Sequence, residues 1–200
     1  LILSFGIKRN IYHYMSDPLN MTAVTGKAAL RQTLLAARRA LPPLQRATAT
    51  AQIGQHLLNW CAQHAITRLG VYWPIRGEPD LQPWYAELHQ RGVELALPVV
   101  VERDAALHFA RWQPGQMMSA DAFGVAIPEP LLWCALPDAI LIPCVGFNRA
   151  GFRLGYGGGF YDRTLAASPR PRTLGVAFAC QLAEFEADAH DVALDVIVEA

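Results

Sequence analysis

The run Ala139-Ile140-Leu141-Ile142-Pro143-Cys144-Val145 constrains this chain more than any other segment. It is almost unbroken in apolar side chains and too short for a typical helix, so it reads as a β-strand covered on both faces. Such a strand needs helices above and below it, and the flanking pattern supplies them. The spacing of Leu30, Leu34, Ala37 and Leu41 predicts a helix over 27–41, stopped by Pro42-Pro43. A second helix is expected over 44–64 with Ile53, Leu57 and Trp60 as its apolar stripe, a third over 80–91 ending at Gly92, and a fourth over 160–167. Strand-like runs fall at 68–73, at 93–101 with an interruption at Pro98, at 107–112 with alternating sides, at 173–179 and at 194–198. Helices alternating with apolar strands predict an α/β fold: a three-layer α/β/α single domain with a mainly parallel sheet. The Pro/Gly-rich stretch 113–130 reads as one long loop or two short ones, a length that is often functional.

Composition removes several classes of function. With 200 residues, 52% of them hydrophobic, the chain can bury one sizeable core. Lys and Arg number 17 against 17 Asp and Glu, which gives no long-range attraction to nucleic acid or to an acidic membrane. Cys61, Cys134, Cys144 and Cys180 are widely spaced without a C-x-x-C pair and read as buried free thiols of a reducing compartment. Residues 1–20 mix apolar, aromatic and basic types without periodicity. Lys8 and Arg9 follow the short apolar stretch, the reverse of a secretory signal. They read as a non-native or disordered extension ahead of a domain over 21–200, with Met15 or Met21 as the natural start. A cytoplasmic monomer is expected, with no nucleic-acid or membrane partner. His56, His64, His89 and His108 form no ligand-spaced set and are expected in structural or surface roles, and His190 is assigned no catalysis.

The apolar strand leads through a polar turn into Arg153-Leu154-Gly155-Tyr156-Gly157-Gly158-Gly159-Phe160-Tyr161-Asp162 and then a helix. Glycines let a backbone approach a ligand closely, and a turn entering a helix presents free N–H groups, so the segment is either an anion site or a flexible connection. It is not a P-loop, because no G-x-x-x-x-G-K-[ST] is present, and Phe160 breaks a G-x-G-x-x-G. Arg153 and Arg163 flank the glycines and favour phosphate. Asp162 is either an Mg²⁺ ligand or a carboxylate that only satisfies the helix dipole.

The run from Pro143 to Leu165 resembles the signature of the 5-formyltetrahydrofolate cyclo-ligase family, also called methenyltetrahydrofolate synthetases. Further segments match in order: Lys27-Ala28-Ala29-Leu30-Arg31, Tyr72-Trp73-Pro74-Ile75-Arg76-Gly77-Glu78, Gly124-Val125-Ala126-Ile127-Pro128-Glu129-Pro130, and His190-Asp191-Val192-Ala193-Leu194-Asp195. The resemblance implies an enzyme that uses ATP and Mg²⁺ to close 5-formyltetrahydrofolate, with or without a polyglutamate tail, to 5,10-methenyltetrahydrofolate. It implies ATP contacts from Lys27 to Arg31 and from Arg153 to Tyr161, with Arg153 supplying charge to phosphate. Trp73, Glu78 and Tyr156 to Phe160 match folate contacts, and Asp162 and Asp191 match metal carboxylates. No covalent nucleophile is expected. Without the resemblance, Lys27 and Arg31 read as a solvated helix face, Glu78 as a turn residue and Asp191 as a surface acid. Three positions differ from forms of the family pattern: Gly158 stands where some members have a lysine, Asn148 where an aspartate is common and Phe160 where some members have a tyrosine.

Overall fold

The computed structural model describes residues 26–121 and 124–200; the extension expected over 1–20 lies outside them. Helix α1 (Lys27–Ala40) and helix α2 (Pro43–Gln63) meet at the expected proline break. Pro43 opens α2 at a position whose N–H would have no helical partner in any case. Helix α3 spans Gln82–Gln90 and α4 spans Phe160–Leu165. The strands are β1 (Arg68–Gly70), β2 (Glu94–Val99), β3 (His108–Trp112), β4 (Met118–Ala120), β5 (Ala126–Pro128), β6 (Trp133–Cys134), β7 (Ala139–Pro143), β8 (Gly146–Phe147), β9 (Arg153–Leu154), β10 (Arg172–Ala177) and β11 (Val196–Glu199).

Among the described residues a seven-stranded sheet runs in the order β11-β10-β7-β1-β2-β3-β6. The pairs from β11 to β2 are parallel, and β3 and β6 add an antiparallel edge. The apolar strand β7 is the middle of the five parallel strands. Ala139 and Leu141 enter the core under α2 and α3, while Ile140 and Ile142 enter the opposite cluster with Leu165 of α4. The second helical layer is thinner than a three-layer reading suggests: α4 has six residues, and the extended segment through Leu182, Val192 and Leu194 covers the rest of that face.

Gly54 lets α2 lie directly on α3, because a Cβ there would sit 2.1 Å from the Trp84 ring. Strand β2 runs straight through Pro98. Ala96 directs its carbonyl toward β1, accepting from Val71 N–H, so residue 98 faces the same side, beyond the register at Gly70 where β1 pairing ends. The missing N–H of Pro98 therefore breaks no ladder bond. The expected loop over 113–130 contains a β4–β5 hairpin, whose Ile127 packs with Val99 and Ala110. Strands β8 and β9 form a second hairpin between β7 and the glycines. Cys61 and Cys144 are buried thiols, as expected, but Cys134 is half-buried and Cys180 exposed. No helix among the described residues is long and apolar enough to cross a membrane.

Candidate active site

Chain order places β1 at a reversal: the chain passes from β1 through α3 to β2 on one side, while β7 lies on the other. Ligands of open parallel sheets bind outside the carboxyl ends of strands at such a point. A cavity of about 500 Å³ opens there, bounded by the segment after β1, the end of β2, Pro143 of β7, the glycine loop and the N-terminus of α1. The β4–β5 hairpin contributes Val125 and Ala126 to its wall.

The approach of the glycine loop is set by Asn148. Its Oδ1 accepts from the N–H groups of Ala150 and Phe152 at 3.1 and 3.0 Å, and its Nδ2 donates to the Phe185 carbonyl at 3.1 Å. An aspartate could not make that last bond, so the departure at Asn148 serves the turn, outside the cavity lining. Gly157 and Gly159 have φ of 101° and 65°, where side chains are strained. Gly158 lies beneath the Phe160 ring, and a Cβ there would meet that ring at 2.7 Å. The departure at 158 therefore follows from the aromatic ring at 160. Since α4 is short, the anion character of this loop rests on its free N–H groups more than on a helix dipole.

Lys27, Arg31, Trp73, Glu78, Arg153 to Asp162 and Asp191 all line this cavity, although they come from four distant parts of the chain. Ala28, Ala29 and Leu30 do not. The two alanines are exposed, and Leu30 packs on the cluster of Leu34, Leu35, Val145 and Leu154.

The cations are already engaged. Arg31 Nε donates to the Gly155 carbonyl at 2.8 Å and holds the loop to α1. Arg163 Nη2 donates to the Gly158 carbonyl at 2.5 Å and its Nε to Ala105 at 3.0 Å. Lys27 Nζ contacts Asp188 at 2.6 Å and Asp191 at 2.9 Å. Partial burial opposes charge on both Lys27 and Asp191. For Lys27 the two carboxylates outweigh it and raise the ammonium above its ordinary value; for Asp191 the Asp188 N–H and Lys27 hold the carboxyl below its own.

Arg153 is nearly enclosed, its side chain 4% exposed. Its Nη2 pairs with Asp162 Oδ1 at 2.9 Å and its Nη1 donates to the Val192 carbonyl at 2.9 Å, while Val192 N–H donates to Asp162 Oδ1 at 3.0 Å. Arg153 thus ties the loop to the segment carrying Asp191 as well as facing the cavity.

Asp162 and Asp191 are hard oxygen donors of the type Mg²⁺ takes, one or two at a time alongside phosphate oxygens. The contacts of Asp162 with Arg153 and Val192 fall on Oδ1, and those of Asp191 with Lys27 and Asp188 on Oδ2, so each offers its second oxygen to a cation. Among the described residues no group of three or more His, Cys, Asp or Glu is gathered in ligand geometry. The donor set therefore fits a metal that arrives with a polyphosphate.

Glu78 is 6% exposed, and burial pushes its carboxyl up against the opposing pull of the Ile75 N–H, the Tyr156 hydroxyl, Arg38 and Arg76. Its Oε2 accepts from Ile75 N–H at 2.9 Å and its Oε1 from the Tyr156 hydroxyl at 2.7 Å. Trp73 meets Trp112 edge-on at 6.1 Å between ring centroids, giving the acid an aromatic neighbour wall.

A family model described as the 5-formyltetrahydrofolate cyclo-ligase family matches residues 23–200. The chain belongs to that family. It is 32% identical over 162 residues to the 5-formyltetrahydrofolate cyclo-ligase of Haemophilus influenzae, covering 78% of this chain and 87% of the relative. It is 33% identical over 182 residues to the enzyme of Mycolicibacterium smegmatis, covering 84% and 90%. A solved structure of a 5,10-methenyltetrahydrofolate synthetase from Aquifex aeolicus superposes with a TM-score of 0.74 at 30% identity, covering 86% of this chain and 89% of that one. The synthetase of Mycoplasma pneumoniae gives 0.67 at 29%, covering 86% and 96%. The family's α/β fold with a mainly parallel sheet is the one described above.

Two features in and beside the cavity have no counterpart in the sequence expectations. Asp188 shares Lys27 with Asp191, and Arg38 is wholly buried beneath Tyr156. The signal for Arg38 was present, since residues 27, 31 and 38 lie on one helical face.

Proposed function

We propose that the cavity cyclises 5-formyltetrahydrofolate to 5,10-methenyltetrahydrofolate with ATP and Mg²⁺, releasing ADP and phosphate. The observation that carries this reading is one cavity wall shared by two kinds of group. Lys27, Arg31 and the N–H-rich glycine loop suit a polyphosphate, and Glu78 beside Trp73 suits the donor edge and face of a pterin.

The chemistry follows from a poor leaving group. The formyl oxygen attacks the γ-phosphorus and ADP departs, giving a phosphorylated imidate. The folate N10 then attacks the formyl carbon, phosphate leaves and N10 loses its proton. Bound Mg²⁺ supplies charge neutralisation on the phosphates, with Asp162 and Asp191 as its carboxylates. The protein's own share is positioning and electrostatics. Lys27 and Arg31 exchange their present partners for phosphate oxygens, and Arg153 holds loop and carboxylate in register. Glu78 fixes the pterin so that the formyl oxygen faces the loop. In this reading the domain over 21–200 works as a cytoplasmic monomer, with ATP and a reduced folate, polyglutamylated or not, as its only partners.

The test is coupling. Phosphate release from ATP is expected only when 5-formyltetrahydrofolate and Mg²⁺ are both present, in equal amount to the folate consumed. Phosphate release independent of folate would contradict a shared site.

A further inference from the structure

Arg38 has no part in the chemistry above, yet it is a charged side chain with 0% exposure, bonded to the cavity-lining Tyr156. A buried guanidinium is strongly unfavourable unless a counter-charge answers it. Among the described residues no carboxylate contacts it. Its Nη1 reaches the Cys144 carbonyl at 3.4 Å, its Nε has no partner, and its Nη2 donates to the Tyr156 hydroxyl at 2.7 Å. The counter-charge is one hydroxyl away, because Tyr156 donates onward to Glu78 Oε1 at 2.7 Å.

The direction of this relay is fixed by proton counting. A phenol has one proton, and a guanidinium only donates. With Arg38 occupying a lone pair of the Tyr156 oxygen, the phenolic proton goes to Glu78. Ile75 N–H anchors the other carboxylate oxygen at 2.9 Å, so both oxygens are held and the carboxylate plane is set. Each oxygen keeps a second lone pair for an incoming N–H donor. The relay also joins three elements: α1, the glycine loop and the segment after β1.

We propose that Arg38 is a positioning residue, which acts through the Tyr156 hydroxyl to hold the Glu78 carboxylate ready for the N–H groups of a pterin-class ring. The proposal rests on the reading of Glu78 as the folate-contacting acid.

The experiment measures KM for 5-formyltetrahydrofolate and for ATP separately in R38M, Y156F, E78Q and the R38M/E78Q pair. E78Q, R38M and Y156F are each expected to raise the folate KM about tenfold, the size of a charge-assisted hydrogen bond, with the ATP KM within about twofold. In the E78Q background, R38M is expected to change the folate KM by less than about twofold, since nothing remains to orient. A folate KM that R38M leaves unmoved, with E78Q raising it, overturns the positioning role alone; so do R38M and E78Q effects that multiply. If E78Q leaves the folate KM unmoved, the reading of Glu78 fails and the proposal falls with it. Where R38M does not fold, R38Q takes its place, and a folate KM that it leaves unmoved overturns the positioning role.

Discussion

Asp162 offers a prediction that separates a structural carboxylate from a metal-binding one. In D162N the ion pair to Arg153 is lost, while the amide oxygen can still accept from Val192 N–H at the present 3.0 Å. Breaking one side of a fully buried ion pair costs ~3–5 kcal/mol, and an exposed pair contributes ~0–1 kcal/mol. The Arg153 side chain is 4% exposed and that of Asp162 is 22% exposed, between those limits but nearer the buried one for the arginine. The retained Val192 bond offsets part of the loss, which leaves about 2 kcal/mol. For a domain of this size that lowers Tm by about 4–8 °C, read by circular dichroism. R153M removes the same pair and should destabilise comparably, but it keeps the carboxylate. The Mg²⁺ concentration for half-maximal activity should therefore rise further in D162N, which lacks the carboxylate, than in R153M, which only loosens it. A D162N Tm within roughly 1 °C of wild type would refute the ion-pair argument. Equal Mg²⁺ requirements in the two variants would refute the metal role.

Other consequences follow from the same geometry. G54A places a methyl group 2.1 Å from the Trp84 ring; overpacking of ~3 kcal/mol exceeds the ~1 kcal/mol helix gain of alanine, so a Tm loss of about 4–8 °C is expected and a rise would show that α3 yields freely. Because Asp191 is held below its ordinary value, its contribution is present above the carboxylate range and lost as pH falls through its folded pKa. D191N should therefore be less stable than wild type by about 1 kcal/mol at neutral pH, with the gap closing in acid; a gap unchanged by acid in chemical denaturation would remove the Lys27 contact as its origin. Converting Gly158 to lysine should not improve ATP use, since the new Cβ meets the Phe160 ring at 2.7 Å; a lowered ATP KM in G158K would show that ring to be free to move.

The parts of the fold legible in the sequence were those where one segment carries its own signal. Strand β7 is covered on both faces and shows it as an apolar run, and Pro42-Pro43 marks the α1–α2 break. Short elements stabilised by tertiary pairing were not legible. The β4–β5 hairpin has three residues per strand, and β8–β9 has two. Strand β1 is half its expected length because Tyr72 and Trp73 turn into the cavity after Val71 gives its N–H to Ala96. On α1 the periodicity marks Leu30, Leu34, Ala37 and Leu41; Leu34 is buried and Leu30 and Leu41 pack partly buried on the core, but Leu35 and Arg38 are buried beside them. An arginine in a helix reads as solvated; only Tyr156, far away in sequence, explains why this one is inside. The glycine loop was placed by its composition, but its dependence on Arg31, Arg163 and Asn148 is visible only in three dimensions.

In the proposed reaction one cavity serves both ATP and a reduced folate. The most direct measurement is the absorbance of the methenyl product formed from 5-formyltetrahydrofolate, in parallel samples with and without ATP and Mg²⁺. A rise is expected only in the complete sample, slower in E78Q at folate concentrations below its raised KM, and abolished or strongly reduced in K27A/R31A, each checked for folding. No rise with folded wild-type protein, or a rise that persists without ATP, would contradict it.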